Sequence, residues 1–267
     1  MRIGLITPDP GHPLLAAATA LLTSPGGHRV EVLDPAAATP DGTPADVYLL
    51  KSRTPRALAL ARELESRGAR VVNSAAATGR CQDRTAMARD ALRAGLPFAP
   101  TRSYASGAEL ALGEAASAGP VVVKSRHSRK GDVVVRLDSA SRIRDFAAGA
   151  AHEPYVVQDF VRNPGWDHKL WAVGPHLFAA VRRSELSPHA PGGGPVPLAE
   201  LPPAWPALVR RVGEVFGLDV YGVDVIDGGG GDALIVDVNA FPGIRNQPGA
   251  PEALAELALR AGRESLR

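Results

Sequence analysis

The stretch YGVDVIDGGGGDALIVDVNAFPG, Tyr221 to Gly243, limits what this chain can fold into more than any other. Two apolar runs flank four successive glycines, Gly228 to Gly231, which predicts two strands joined by a flexible turn. Side chains alternate along a strand, so Asp237 and Asn239 share one face of the second strand. Asp224 joins them if the two strands pair. Two carboxylates and an amide oxygen among Val and Ile are costly to desolvate without a cation between them. A hard ion such as Mg²⁺ (or Mn²⁺) fits, because it takes a few protein oxygens and leaves its other positions to water or phosphate. Acidic residues facing solvent are the plain alternative, yet Asp237 sits within LIVDVNAF, where an apolar strand gains nothing from it.

The 267 residues suffice for two or three subdomains with cores of their own. No apolar run is long enough to span a bilayer, and ITPDPGHPLL near the start does not read as a signal peptide. The single cysteine, Cys81, cannot form an internal disulfide, which suits a reducing cytoplasm. A net charge of +2 gives no reason to expect nucleic acid, and no membrane association is expected. Four lysines stand against twenty-six arginines. Arg serves here as the generic cation, so Lys51, Lys124, Lys130 and Lys169 draw attention as sites needing a compact ammonium rather than a planar fork.

RIGLI, HRVEVL, ADVYLLK and ARVVN alternate with helical segments at Leu14–Leu22 and Pro55–Arg67, which implies a small parallel α/β domain over residues 1–77. Residues 78–161 read as helices at Cys81–Ala94 and Glu109–Ala118, strands GPVVVKS and DVVVRL, a helix at Ser139–Ala148 and strand PYVVQDFV. Residues 162–267 hold strands DHKLWAVG and HLFAAVRR, a Pro/Gly-rich loop at 186–204, a helix at Ala204–Phe216, the hairpin and a closing helix from about Pro251.

Several segments carry charge in places that suit a ligand. Lys124 ends VVVK and could reach a phosphate or a purine edge, or snorkel to water. The loop after it holds Arg126, His127, Arg129 and Lys130, which repel one another unless an anion is near; a polyphosphate clamp and a solvated turn both fit. Gln158, Asp159, Phe160 and Val161 lie where a strand passes into a loop. That segment could offer main-chain groups to adenine, or be an ordinary strand end. Lys169 shares a face with Asp167 and Trp171. Arg182 and Arg183 close the next strand, and one of them is expected to contact phosphate. Lys51 and Arg53 follow a parallel strand, at the end where α/β sheets bind ligands. No P-loop pattern occurs.

In this order the landmarks resemble the ATP-grasp superfamily over nearly the whole chain: Asp83–Arg84, VVVK, the basic loop, QDFV, Asp167-x-Lys169, Arg182–Arg183, and GVDV with VDVNAFPG. The resemblance implies a mixed α/β and α+β fold, with a small N-terminal domain and two lobes clamping ATP. Two branches are closest, the carboxylate–amine ligases similar to ribosomal-protein glutamate ligases and the ATP-grasp inositol trisphosphate kinases. It implies that Arg84, Lys124, Lys130 and Gln158 to Val161 bind ATP, and that Asp224, Asp237 and Asn239 hold Mg²⁺. Lys51, Arg53, Arg126, Lys169 and Gly243 would face the second substrate, and Arg183 and Arg245 would steady the transferred phosphate and the carboxylate. RHSRKG, with one glycine, departs from the glycine-rich loop of the ligases. The expected activity is ligation of a small acidic carboxylate substrate to an amine through an acyl phosphate. Phosphorylation of an anionic polyol is the alternative, and nucleotide binding without turnover the third reading.

Overall fold

The computed structural model describes residues 1–24, 27–39, 42–114, 119–129, 131–149, 152–184, 186 and 192–265. Near the N-terminus, β1 (Arg2–Ile6), β2 (Arg29–Leu33), β3 (Val47–Leu50) and β4 (Val71–Val72) form a parallel sheet in the order β2-β1-β3-β4. Its helices start where the sequence supplies caps. In α1 (Pro13–Thr23) and α2 (Pro55–Ser66) a proline occupies the first turn, where its missing N–H costs nothing. Thr54 caps α2 by accepting from the Ala57 amide.

The helix expected over Cys81–Ala94 is shorter, α4 (Arg84–Arg93), and a separate helix that was not expected, α3 (Ala75–Arg80), precedes it with its C-cap at Cys81. The Asp83 carboxylate accepts from the Thr85 and Ala86 amides, and this cap holds Asp83 extended and breaks the run. A second sheet, antiparallel and ordered β5-β8-β6-β7, contains β5 (Thr101–Tyr104), β6 (Val121–Ser125), β7 (Val134–Leu137) and β8 (Tyr155–Asp159). Its edge strand β5, TRSY, is short and polar, and was not expected from the sequence. Two helices, α5 (Gly107–Gly113) and α6 (Ala140–Gly149), cover one side. The expected extension of the first to Ala118 lies outside the described residues.

A third sheet contains β9 (Trp166–Val173), β10 (His176–Arg183), β11 (Gly193–Pro195), β12 (Val220–Asp227) and β13 (Ala233–Ala240), in the order β11-β10-β9-β12-β13. All its pairings are antiparallel. One face packs Leu170, Ala172, Val223, Val225 and Val238 against α4 and α7 (Trp205–Phe216), with Trp205 and Phe216 almost fully buried. Gly217, left-handed at φ 66°, ends α7 as a side chain with a Cβ would do only with strain. The last helix, α8 (Ala250–Ser265), returns to pack on α1 and β3, so the N-terminal core also holds Val173, Val220 and Phe241 of the third sheet. Buried Asn73 fastens this junction, accepting from the Asp219 and Val220 amides at 2.8 and 2.9 Å and donating to the Val220 carbonyl at 2.6 Å. No described helix is long and apolar enough to cross a membrane.

Candidate active site

The hairpin pairs Asp224 directly with Asp237 and Gly222 with Asn239, so the three oxygen-bearing side chains stand on one face. A bulge follows Asp224: Val225 pairs with Ile235, and Val236 has no partner on β12. Its carbonyl instead accepts from Lys124 Nζ, 2.8 Å away on the second sheet. The bulge therefore does two things. It brings the two aspartates into register, and it offers a main-chain oxygen to the lysine opposite.

Between the second and third sheets lies a cleft enclosing about 1120 Å³ of space that opens to solvent. Lys124, Gln158, Asp159, Phe160, Val161, Lys169, Asp224, Asp237 and Asn239 all line it, together with Arg53 and Arg84. Val122, Val134, Ile226, Leu234 and Val236 supply apolar walls. Such a mixture suits a flat heterocycle at one end and charged groups at the other.

Charges in the cleft are paired across elements. Arg84, buried, donates from Nη1 to Asp132 Oδ2 at 2.6 Å and to the Ser125 carbonyl at 2.8 Å, and from Nη2 to Asp237 Oδ2 at 3.1 Å. Burial opposes its charge, but Asp237 and Asp132 more than restore it and hold the guanidinium above its ordinary range. Arg84 Nε is buried without a hydrogen-bond partner, a donor left over for a ligand. Lys169 Nζ lies 2.8 Å from Asp224 Oδ2, directly across from it on β9. Burial again works against the ammonium, and Asp224 raises it above the usual lysine value. Lys124 is buried and is pulled below the usual range, with Asp237 only partly offsetting the burial.

The three side-chain oxygens fit a hard divalent ion. They are two carboxylates and an amide, in register on adjacent strands, and among the described residues no thiol or imidazole lines the cleft. Asn239 Oδ1 presently accepts from Arg53 Nη1 at 3.4 Å.

The other expected residues fall in different places. Gln158 Nε2 donates to Thr101 Oγ1, Asp159 accepts from Arg102, and Phe160 lies under the Arg136 guanidinium at 4.0 Å. Lys51, Arg53 and Gly243 line a smaller cavity beside the cleft, which shares Arg53 and Asn239 with it. Arg245 is exposed nearby, close enough that its charge depresses Lys51 and His12. Lys130 and residues 187–191 lie outside the described residues, and the rest of the loop expected at 186–204 is not all irregular, since it holds strand β11 and a 3-10 turn at Leu198–Glu200.

Two expectations need correction. Arg126 does not enter the cleft; its guanidinium binds the capping carboxylate of Asp83 at 2.7 Å. Arg183 pairs with Trp166 on the reverse face and stacks over that ring at 3.9 Å. Its neighbour Arg182 pairs with Asp167, on the face that carries Lys169 and Asp224, and reaches over Trp171. The choice of Arg182 rests on the register of β10 against β9, which the sequence did not supply. Asp132 was missed outright; its only mark in the sequence is an acid directly after a basic loop.

Residues 104–249 match the RimK-like ATP-grasp domain. A probable alpha-L-glutamate ligase 2 of Hahella chejuensis is 29% identical over 196 residues, 70% of this chain and 64% of the relative. Beta-citrylglutamate synthase B of Danio rerio is 26% identical over 68% of this chain and 47% of the relative. The chain thus spans less than two thirds of the length of these curated relatives. A RimK domain ATP-grasp protein from Sphaerobacter thermophilus superposes with a TM-score of 0.77 at 22% identity, covering 96% of this chain and 99% of that one. The ATP-grasp ligase PsnB, solved with a minimal precursor, Mg and ADP, gives a TM-score of 0.72 at 17% identity over 98% and 97%. These likenesses establish the ATP-grasp fold.

Proposed function

The chain belongs to the RimK-like ATP-grasp family, and we propose on that premise that it is an ATP- and Mg²⁺-dependent carboxylate–amine ligase. One observation carries the reading. The two carboxylates of the hairpin face the same cleft, each neutralised by a cation from another element, Asp237 by Arg84 and Asp224 by Lys169. Such pairs can exchange partners when a nucleotide carrying a divalent ion enters: phosphates take the cations and the ion takes the carboxylates.

In the proposed reaction a substrate carboxylate oxygen attacks the γ-phosphorus of ATP, the bond to the β,γ-bridging oxygen breaks, and ADP leaves. An amine then attacks the acyl carbon, forming the C–N bond as inorganic phosphate departs. An ion at Asp224, Asp237 and Asn239 would supply charge neutralisation and a template for the phosphates. Lys124, Arg84 and Lys169 would hold the phosphate oxygens in line, where alignment and electrostatics provide most of the acceleration. The apolar walls beside Gln158–Val161 would receive the base. Arg182, on the cleft face of β10, and Arg245, whose charge reaches Lys51, would steady a carboxylate.

Both relatives named above carry glutamate in their names, so L-glutamate is the first amine to test, with small acids as the carboxylate partner. A cytoplasmic location is part of this proposal, and the chain's single cysteine suits it. The test is a hydroxylamine trap with Mg·ATP and a panel of carboxylic acids: hydroxamate and ADP should form in equal amounts. ADP formation with a phosphorylated polyol and no hydroxamate from any acid would overturn the ligase reading.

A further inference from the structure

We propose that Lys51 is the base that removes a proton from the incoming ammonium, in the small cavity beside the ATP cleft. This rests on the ligase reading. The amine substrate of such a reaction is an ammonium ion at neutral pH and has no lone pair to attack with. Some group must take that proton near the acyl phosphate, and in the ATP cleft the carboxylates of Asp132, Asp159, Asp224 and Asp237 are paired with cations.

Lys51 follows β3 and projects to the turn after Asn239. Its Nζ donates to two main-chain carbonyls, those of Phe241 at 3.1 Å and Pro242 at 3.3 Å. An uncharged amine has two hydrogens and one lone pair. Two carbonyls use the hydrogens and leave the lone pair for the cavity, which Ser52, Arg53, Asn239 and Gly243 also line. The carbonyls come from a turn in which Phe241 has a positive φ of 44°, so both face the lysine from one side.

The surroundings favour the neutral form. Burial is the largest influence and the positive charge of Arg53 the next; Asp9 pulls the other way, Arg245 adds the smallest depression, and together they bring Lys51 down to about 8. His12 is the other nitrogen base here, against Gly243, where an added Cβ would lie 3.2 Å from its Nε2. Its Nδ1 accepts from the Leu14 amide at 3.3 Å, so in the neutral ring Nε2 carries the hydrogen and is a donor, not a base. That leaves Lys51. In balance, the substrate ammonium gives one proton to Lys51 Nζ and the freed amine attacks the acyl carbon. Its second proton leaves with the phosphate, and Lys51 returns its own to solvent.

The test separates nucleophiles by their need for a base. Hydroxylamine is unprotonated at neutral pH, whereas L-amino acids, led by L-glutamate, are not. In competition, Lys51→Met should lower the ratio of amide to hydroxamate by tenfold or more. The ratio is internal to each sample, so partial unfolding cancels. In the wild type, amide formation should rise with pH and level off above about 8, where Lys51 is neutral; in Lys51→Met the rise should continue as free amine accumulates. Asp9→Asn, a change at an exposed residue with no part in the reaction, removes the charge that raises Lys51 and should move the plateau to lower pH. An unchanged ratio in Lys51→Met, or an unmoved plateau in Asp9→Asn, overturns the base and leaves the ligase standing. Absence of hydroxamate from the wild type with every acid overturns the ligase reading, and the base with it.

Discussion

The two faces of the third sheet are built from the same strands and serve opposite ends. On the reverse face Leu170, Ala172, Val223, Val225 and Val238 are each at most 2% exposed and meet α4 and α7. On the cleft face, one residue away along each strand, stand Lys169, Asp224 and Asp237, with Asn239 beyond. The apolar side provides a rigid support that fixes where the polar side chains stand, and the polar side keeps its charges because each is paired with a residue of another element. A register slip of one residue would exchange the two faces, so the bulge at Asp224/Val225 is where the arrangement is most exposed to error.

That contrast can be broken from either side. The largest effects should come from Asp237→Ala and Trp205→Ala, and they should be of different kinds. Asp237→Ala should cut ATP-dependent turnover by about 10²–10³-fold, the scale of a lost charge-stabilising group, with the far-UV circular dichroism unchanged. Trp205→Ala should cost about 3–5 kcal/mol of stability, read as a lower urea midpoint, with little change in the KM for ATP of the folded fraction. A near-normal rate in the first, or an unshifted midpoint in the second, breaks the division of labour.

Lys124→Ala comes next. Losing one charged hydrogen bond to a phosphate is worth about 1.5–3 kcal/mol, so the KM for ATP should rise tenfold or more; an unchanged KM would mean that Lys124 serves only the Val236 carbonyl. The smallest effects sharpen the comparison within one dipeptide. Arg183→Ala should cost about 0.5–1 kcal/mol of stability through its lost stacking on Trp166 and leave kcat/KM alone. Arg182→Ala should do the reverse, lowering kcat/KM with the urea midpoint unmoved. If Arg183 proves the kinetic residue, strand parity has misled the assignment.

Much of this was legible from the residues in order. The hairpin and the shared face of Asp237 and Asn239 follow from its glycine turn and from alternation, and Lys124 at the end of VVVK stood out as a lysine able to reach a phosphate, although its burial did not show. The choice between Arg182 and Arg183 was not, because it depends on the register of β10 against β9, a long-range pairing. The triangle of Arg84 with Asp132 and Asp237 was hidden for the same reason: its members are up to 153 residues apart. Arg126 was misjudged because a crowd of cations in sequence need not be a crowd in space, and Asp83 takes one of them away. Strand β5 was missed because TRSY has no apolar alternation, and only its pairing with β8 makes it a strand.

The central claim is that the cleft face of the hairpin holds a divalent ion together with nucleotide phosphates. Titration with Mn²⁺ in the presence of ADP, followed by electron paramagnetic resonance, tests it without depending on turnover. The wild type should bind the ion in a complex that requires the nucleotide, and Asp237→Ala, with its secondary structure intact, should lose that binding. Equal Mn²⁺ affinity in the two proteins would contradict the claim.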